Sequence, residues 1–139
     1  MTPPEATVQG QEGRGAETPP AVSVCLTLTK RADFLRAAQA RRQGMPGFLL
    51  QARRRRPDEA DPAAIRIGYT CSRKLGNAVA RNRAKRRLRE IARLILPLHG
   101  RPGWDYVLVG RPEATATRDF ADLQADLVRA LERIHADKT

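Results

Sequence analysis

The feature that most restricts the fold of this chain is a basic segment, residues 77–93 (NAVARNRAKRRLREIAR), which also keeps the apolar period of an α-helix. At about 100° per residue, the apolar side chains fall within one narrow arc and bases lie opposite them. The arc contains Ala80, Ala84, Leu88, Ile91 and Ile95, and the opposite side contains Lys85, Arg86, Arg89 and Arg93. Such a helix is expected to pack one side against a core and present the other to a ligand.

The charge of this segment is almost entirely of one sign, because Glu90 is its only acid. Arg81, Lys85, Arg89 and Arg93 follow one another at spacing four, and like charges at that spacing destabilise an isolated helix. Arg81 and Arg87 border the apolar arc, where their aliphatic stems can cover core residues. A solvated cationic face is the alternative. The strong excess of bases instead favours a polyanionic partner, and we expect nucleic acid.

Length and composition agree with this interpretation. A chain of 139 residues fits one domain with a modest core. Lys plus Arg number 26 against 15 acids, a formal net charge of +11, which favours nucleic acid or an anionic membrane surface. No apolar run is long enough for a membrane span, and the N-terminus lacks the pattern of a signal peptide. The expected location is therefore the cytoplasm, with no membrane partner.

The cysteines and histidines do not form a recognisable metal or redox motif. Cys25 and Cys71 are far apart without a CxxC, and His99 and His135 are distant from both in sequence. Two reduced structural thiols are the expected state. A reactive Cys71 stays open as an alternative, because neighbouring bases can lower the pKa of a thiol.

The chain divides into a tail and one domain. Residues 1–21 are rich in Pro, Gly, Thr and Glu and are expected to be a disordered, slightly acidic tail. Residues 22–139 are expected to form a single RNA-binding α+β domain. Its first helix is predicted to start at an N-cap, Thr29, and to end before Gly44 and Pro46. Phe34, Leu35 and Ala38 share one face of that helix.

Alternation and capping residues predict the remaining elements. Residues 48–53 and 65–71 alternate with period two, so both are predicted strands. Asn77 is the predicted N-cap of the basic helix, which should run to about Leu96 before Pro97. Residues 104–109 (WDYVLV) are predicted to be an interior strand, and Thr117 to cap a last amphipathic helix. The order helix, strand, strand, helix, strand, helix predicts an α+β two-layer sandwich.

The sequence contains no recognisable catalytic motif. Asp58, Glu59 and Asp61 could hold Mg²⁺ in a two-metal nuclease, but local charge balance with the basic run at residues 53–56 is the simpler interpretation. That basic run, Arg66 and residues 72–74 join the basic helix as evidence for nucleic-acid binding. We therefore expect the polypeptide alone to have no catalytic residue and to hold no metal.

Residues 68–93 (GYTCSRKLGNAVARNRAKRRLREIAR) closely resemble the signature of the bacterial ribonuclease P protein subunit: a strand, an SxKxGNAV-like turn and an RNRxKRxxRE helix. The flanks agree, with Asp33 and Phe34 in an upstream helix and a downstream strand ending in Arg111 and Pro112. The resemblance covers roughly residues 24–135. The positions that fit are Ser72, Lys74, Gly76, Asn77, Ala78, Val79, Arg81, Asn82, Arg83, Lys85, Arg86, Arg89 and Glu90.

This resemblance implies a fold, a function and partners. The fold would be an α-β-β-(β)-α-β-α sandwich with a left-handed βαβ crossover, opposite to the general rule. The function would be that of the protein cofactor of a ribonucleoprotein endonuclease, one protein per RNA, which removes the 5′ leader from precursor tRNA. The ribonuclease P RNA would hold the Mg²⁺ ions and perform the hydrolysis.

The resemblance also implies two sets of binding residues. The catalytic RNA would be contacted by Ser72, Lys74, Asn77, Arg81, Asn82, Arg83, Lys85, Arg86 and Arg89. A central cleft for the single-stranded leader would be lined by Lys30, Arg31, Phe34 and Phe48. Two positions depart from common family members: Ala38 and Gln51 stand where relatives often have aromatic residues, so weaker stacking on the leader is expected.

Two alternatives remain open at this level. A ribosomal or other structural RNA-binding protein would share the charge and the size. A DNA-binding regulator would place the basic helix in a major groove, but would normally need a second short helix across the first and a dimer seam. The alternating strands around the basic helix argue against the regulator.

Overall fold

The computed structural model describes residues 25–59 and 63–136. The predicted tail at residues 1–21 lies outside the described residues. The elements in chain order are β1 (Cys25–Thr27), α1 (Arg31–Ala38), β2 (Arg41–Gly44), β3 (Phe48–Arg54), β4 (Ile65–Thr70), a 3₁₀ turn (Arg73–Leu75), α2 (Ala78–His99), β5 (Trp104–Gly110), α3 (Ala114–Thr117) and α4 (Phe120–Ile134).

The strands form one five-stranded mixed sheet in the order β1-β4-β5-β3-β2. β4 is parallel to β1 and to β5, whereas β3 is antiparallel to β5 and to β2. The helix α2 joins the adjacent parallel strands β4 and β5, as a βαβ unit requires. The α+β sandwich is confirmed, and the left-handedness of this crossover stays a prediction.

The two faces of the sheet are covered by different helices. On one face the inward side chains of β3, β4 and β5 form the main core with α2 and α4. On the other face α1 packs against the sheet, where Ala37 joins Leu28 and Val107 in a smaller cluster. Leu49 and Thr70 on this second face remain half-exposed. The second face is therefore only partly covered, and it leaves a cleft beside α1.

The basic helix α2 is capped at its start as predicted and continues further than predicted. The side chain of Asn77 accepts a hydrogen bond from the Ala80 N–H at 2.9 Å, a contact worth about 1 kcal/mol in typical helices. Pro97 lies inside α2, which ends at His99, so the predicted end at Leu96 is wrong. Pro97 removes only one hydrogen bond, to the carbonyl of Arg93, and the Gly100 N–H closes the last turn on Leu96.

Two strands and the end of the first helix were not predicted correctly. The first helix starts after Lys30 rather than Thr29 and stops at Ala38, and residues 41–44 (RRQG) form β2. β2 is a polar edge strand whose conformation is fixed by pairing with β3 rather than by alternation. With β2, three strands lie between α1 and α2, which matches the optional additional strand of the family fold. The short strand β1 was also missed.

Thr117 does not cap the last helix. It is the final residue of the short helix α3, and its hydroxyl donates to the Glu113 carbonyl at 2.9 Å. α4 begins three residues later, after Asp119. The apolar period of α4 is confirmed, because Leu123, Leu127, Leu131 and Ile134 are all buried.

Candidate RNA-binding surfaces

The exposed side of α2 carries the residues that the sequence assigned to a ligand. We call Asn82, Arg83, Arg86 and Arg89 the α2 face, since all four are exposed. Ala84, Leu88 and Ile91 of the same helix are completely buried. Packing of the apolar side onto the sheet therefore fixes the direction in which the arginines point.

The remaining bases of α2 are partly engaged by the protein. Arg81 donates to the Gly76 carbonyl at 3.1 Å, and Lys85 is half-buried. Arg87 donates to the carbonyls of Thr115 and Arg118 at 3.0 and 2.6 Å, so it fastens the α3 segment to α2. Its role is structural, although the sequence placed it among the bases of the helix.

Arg89 and Arg93 have neighbours that hold them on the surface. The Arg89 guanidinium lies 5.4 Å from the centre of the Tyr69 ring, a cation–π contact that joins α2 to β4. Burial raises the pKa of the Tyr69 hydroxyl to about 12, so this ring stays neutral. Arg93 forms an ion pair with Glu90, so the positive charge of Arg93 is already offset within the helix.

The turn before α2 extends the α2 face. Ser72, Lys74 and Asn77 are exposed, and Gly76 has φ of 131°, a region that favours glycine. This conformation leads the chain from the 3₁₀ turn into the helix. The turn residues therefore lie next to the first turn of α2, which carries Arg81.

The structure brings together only three of the four residues predicted for the cleft. Lys30 and Arg31 are exposed at the start of α1, and Phe34 is half-buried with its ring directly over Gly68. A Cβ at position 68 would lie 2.5 Å from that ring, so a larger residue there would displace Phe34. Phe48 belongs to the main core on the opposite face and is completely buried. Placing Phe48 in the cleft was therefore wrong, because β3 directs its odd and even side chains to opposite faces.

The second set of bases that the sequence offered as evidence is largely structural. Asp105, completely buried in β5, accepts hydrogen bonds from Arg55 and from two nitrogens of Arg66, the latter at 2.8 Å each. Arg55 also donates to the Ala64 and Trp104 carbonyls, at 2.5 and 2.9 Å. We call Arg55, Arg66 and Asp105 the buried ion network. Arg55 and Arg66, which the sequence suggested as nucleic-acid contacts, thus stabilise the fold instead.

Asp58 and Glu59, the described members of the acidic cluster, balance local charge. Glu59 forms a paired contact with Arg53 at 2.7 and 3.1 Å, which holds the pKa of this carboxyl down at about 2. Asp58 lies 3.8 Å from Arg56. Asp61 lies outside the described residues. Within residues 25–59 and 63–136, no three potential ligands converge as a metal site would need.

The cysteines do not pair with each other in the structure. Cys25 is exposed and Cys71 is half-buried, and no disulfide joins them. Burial raises the pKa of the Cys71 thiol, although Lys85 and Arg81 oppose that effect. A raised pKa argues against the reactive Cys71 that the sequence left open.

An aromatic cluster closes the other end of the sheet. The Tyr106 hydroxyl accepts from the Arg101 N–H at 2.9 Å and lies 2.8 Å from His135 Nε2. The His135 ring meets the Trp104 ring edge-on at a centroid distance of 4.5 Å. Burial, together with Arg101 and Arg41, lowers the pKa of His135 to about 4. His135 is therefore neutral near pH 7.

This low pKa predicts an acid-sensitive contribution to stability. The unfolded chain takes up the proton near pH 6.5 and the folded chain only near pH 4, so stability is full above pH 6.5 and falls between these values. We expect a loss of about 1 to 2 kcal/mol after allowance for solvent screening. Urea unfolding at pH 7 and pH 4.5 measures it. His135→Gln should remove this contribution to the pH dependence, and His99→Gln should keep it. If the free energy of unfolding changed equally between the two pH values in the wild type and both variants, His135 would not be its source.

An arginine-covered helix packed on a five-stranded mixed sheet defines this chain as a small RNA-binding α+β protein. The sequence profile of the Ribonuclease P family matches residues 23–135, which includes every described element from β1 to α4. The chain belongs to the Ribonuclease P family. The resemblance seen in residues 68–93 is thereby confirmed.

Individual relatives extend this result over most of the chain. A ribonuclease P protein component from Ruegeria pomeroyi is 62% identical over 125 residues, covering 86% of this chain and 98% of the relative. A second, from Caulobacter vibrioides, is 50% identical over 110 residues, covering 79% and 71%. The solved structure of the RNase P protein from Thermotoga maritima superposes with a TM-score of 0.64 at 27% identity, covering 78% of this chain and 97% of that one. No helix within the described ranges is both long and apolar enough to cross a membrane.

Proposed function

We propose that this chain is the protein subunit of a ribonuclease P ribonucleoprotein, which removes the 5′ leader from precursor tRNA while the RNA subunit performs the chemistry. The observation that carries the proposal is the α2 face. Its three arginines project from a helix that buries Ala84, Leu88 and Ile91 on the opposite side, in a chain that belongs to the Ribonuclease P family. Family membership favours this function over a ribosomal protein.

In this proposal the α2 face and the preceding turn bind the ribonuclease P RNA. Guanidinium groups form paired hydrogen bonds with phosphate oxygens, and the exposed arginines of α2 lack the buried carboxylates that engage Arg55 and Arg66. The proposed contacts are Ser72, Lys74, Asn77, Arg81, Asn82, Arg83, Lys85, Arg86 and Arg89.

The cleft beside α1 binds the leader in the same proposal. Lys30 and Arg31 supply charge for the phosphates, and the half-buried ring of Phe34 supplies a surface for an unpaired base. Phe48 is left out because it is buried on the opposite face of the sheet. The sheet then separates the two RNA contacts, with the catalytic RNA on the α2 side and the leader on the α1 side.

The positive charge of the protein explains how it would assist the RNA. Bringing a precursor tRNA against a folded RNA places many phosphates close together, and cations must offset their repulsion. At high concentration, Mg²⁺ ions held mainly by the RNA offset this repulsion. One bound protein per RNA adds fixed arginines that offset it as well. The benefit should therefore be greatest when Mg²⁺ is scarce. We place this assembly in the cytoplasm.

Reconstitution tests the proposal. The full chain is mixed with its cognate ribonuclease P RNA at low Mg²⁺, and cleavage of a precursor tRNA is measured against RNA alone. We expect at least a tenfold increase in kcat/KM at low Mg²⁺ and a smaller increase at high Mg²⁺. No stimulation, together with equal affinity for an unrelated structured RNA, would contradict the proposal.

The leader contact has its own test within this assay. Two substrates are compared, one with a long leader and one with a single leader nucleotide. The double variant Lys30→Gln, Arg31→Gln should lose most of the preference for the long leader and keep its affinity for the ribonuclease P RNA. Loss of both properties together would mean that these residues do not form a separate leader site.

A further inference from the structure

Asp33, in the first turn of α1, is an acid that lies almost completely inside the protein. Its residue is only 7% exposed. Acids are favoured in the first turn of a helix because they interact with its positive end, but an exposed carboxylate serves that purpose equally well. Asp122 in the first turn of α4 is such a case, since it is exposed. The burial of Asp33 therefore indicates a role beyond that of a helix-start acid, and its contacts identify that role.

The carboxylate of Asp33 contacts the sheet through Arg66. Arg66 Nη2 lies 3.4 Å from Asp33 Oδ1. The same guanidinium donates from Nε and Nη2 to the buried Asp105, at 2.8 Å each. Arg36, whose side chain is exposed, donates to Asp33 Oδ1 at 3.1 Å. Asp33 therefore connects α1 to the buried ion network, and through it to β4 and β5.

Phe34 attaches the same turn of α1 at the next position along β4. Its ring lies over Gly68, and Arg66 and Gly68 are consecutive positions on this face of β4, because strand residues alternate between the faces. α1 has only eight residues, and a helix of that length is not stable in water without tertiary contacts. The contacts of Asp33 and Phe34 with β4 therefore determine where the first turn of α1 lies.

The turn that these contacts hold also presents the bases of the cleft. Lys30 and Arg31 are exposed, and the Asp33 N–H donates to the Lys30 carbonyl at 3.1 Å. Resting on the proposed function for the identity of the ligand, we propose that Asp33 is a positioning residue, whose contact with Arg66 holds the bases of α1 in place to bind the leader phosphates.

The sign of the charge separates this role from a purely electrostatic one. A carboxylate near a phosphate-binding surface repels the phosphates, so its neutralisation by itself should strengthen binding. Loss of a positioning contact should instead weaken binding, because the bases of α1 would spend less time in the arrangement that binds the leader. The positioning role and the electrostatic role of Asp33 thus predict opposite effects of the same substitution.

The variant Asp33→Asn tests the positioning role in the full chain. Asp105 still holds Arg66 through two hydrogen bonds in this variant, so the sheet should keep its structure. In the reconstituted holoenzyme, the KM for a precursor with a long leader should rise about 5-fold, because the leader contacts are held less precisely. The kcat for this precursor, and the KM for a substrate with a single leader nucleotide, should stay unchanged.

Two control variants separate positioning from charge and from general stability. Asp122→Asn makes the same change of charge in the first turn of α4 and should leave all of these kinetic values unchanged. Leu127→Ala, at a completely buried position of α4 on the opposite face of the sheet, should lower stability and keep the wild-type preference for the long leader. If Leu127→Ala also lost this preference, general stability would explain it and the inference would be overturned.

A further readout does not depend on the ribonuclease P RNA. Hydrogen exchange of the α1 amides should be faster in Asp33→Asn than in the wild type, and exchange in α2 should be the same in both. If the wild-type protein did not stimulate cleavage, the proposed function would fail, but hydrogen exchange would still decide whether Asp33 holds α1. Wild-type exchange rates in α1, or an unchanged or lower KM for the long leader in folded Asp33→Asn, would overturn the inference.

Discussion

Replacing Asp105 with Asn is expected to lower the free energy of unfolding by about 3 to 5 kcal/mol, the usual effect of removing one partner from a buried ion pair. Asp105 is completely buried and accepts from both Arg55 and Arg66. The neutral amide would remove the carboxylate that pairs with the buried charge of Arg55. Urea unfolding followed by circular dichroism at pH 7 measures the change.

A matched substitution separates burial from charge. Asp58 also pairs with an arginine, Arg56, but its side chain is 82% exposed. Asp58→Asn should therefore change stability by less than about 0.5 kcal/mol, as exposed ion pairs usually contribute little. If the two variants lost equal stability, the buried ion network would not be the stabilising element that its geometry indicates.

Replacing the three arginines of the α2 face with Gln should produce the largest functional effect. Arg83, Arg86 and Arg89 are exposed, so their substitution leaves the buried side of α2 intact. The affinity for ribonuclease P RNA should fall roughly 100-fold at physiological salt, and the log–log salt slope should become shallower by about 2 to 3. Filter binding or anisotropy over a range of KCl concentrations measures both quantities.

The inward arginine of the same helix provides the contrast. Arg87 donates to the Thr115 and Arg118 carbonyls and contacts the Phe120 ring. Arg87→Gln should lower thermal stability and leave the salt slope unchanged. If Arg87→Gln changed the slope as much as the triple variant did, general charge rather than the α2 face would account for RNA affinity.

Helices and strands that are fixed by contacts between neighbouring residues could be predicted from the sequence. Those that are fixed by contacts between distant residues could not. The basic helix was predictable, because its apolar period and the Asn77 cap are both properties of neighbouring residues. The burial of Phe48, Leu50 and Ala52 on one side of β3 followed from alternation in the same way. By contrast, β2 has no apolar period, and only its pairing with β3 makes it a strand.

The roles of individual arginines were less predictable than the positions of the helices and strands. Arg55 and Arg66 look like any other exposed base in the sequence, and their partner Asp105 is 50 and 39 positions away. Arg41, Arg54 and Trp104 line one cavity only because three strands align in register. The one available signal was Asp105 itself, an acid inside an apolar strand, which is rarely buried without a partner.

The positions of the acids in this chain bear on its selectivity among RNAs. Several described carboxylates are held within 4 Å of an arginine: Asp33, Asp58, Glu59, Glu90, Asp105 and Asp126. Each pair removes one base from the set that could adhere to any polyanion. Residues 78–89, the first turns of α2, contain six bases and no acid of their own. The carboxylates thus restrict where RNA can attach, and loss of Glu59, for example, would expose Arg53 and broaden the range of RNAs bound.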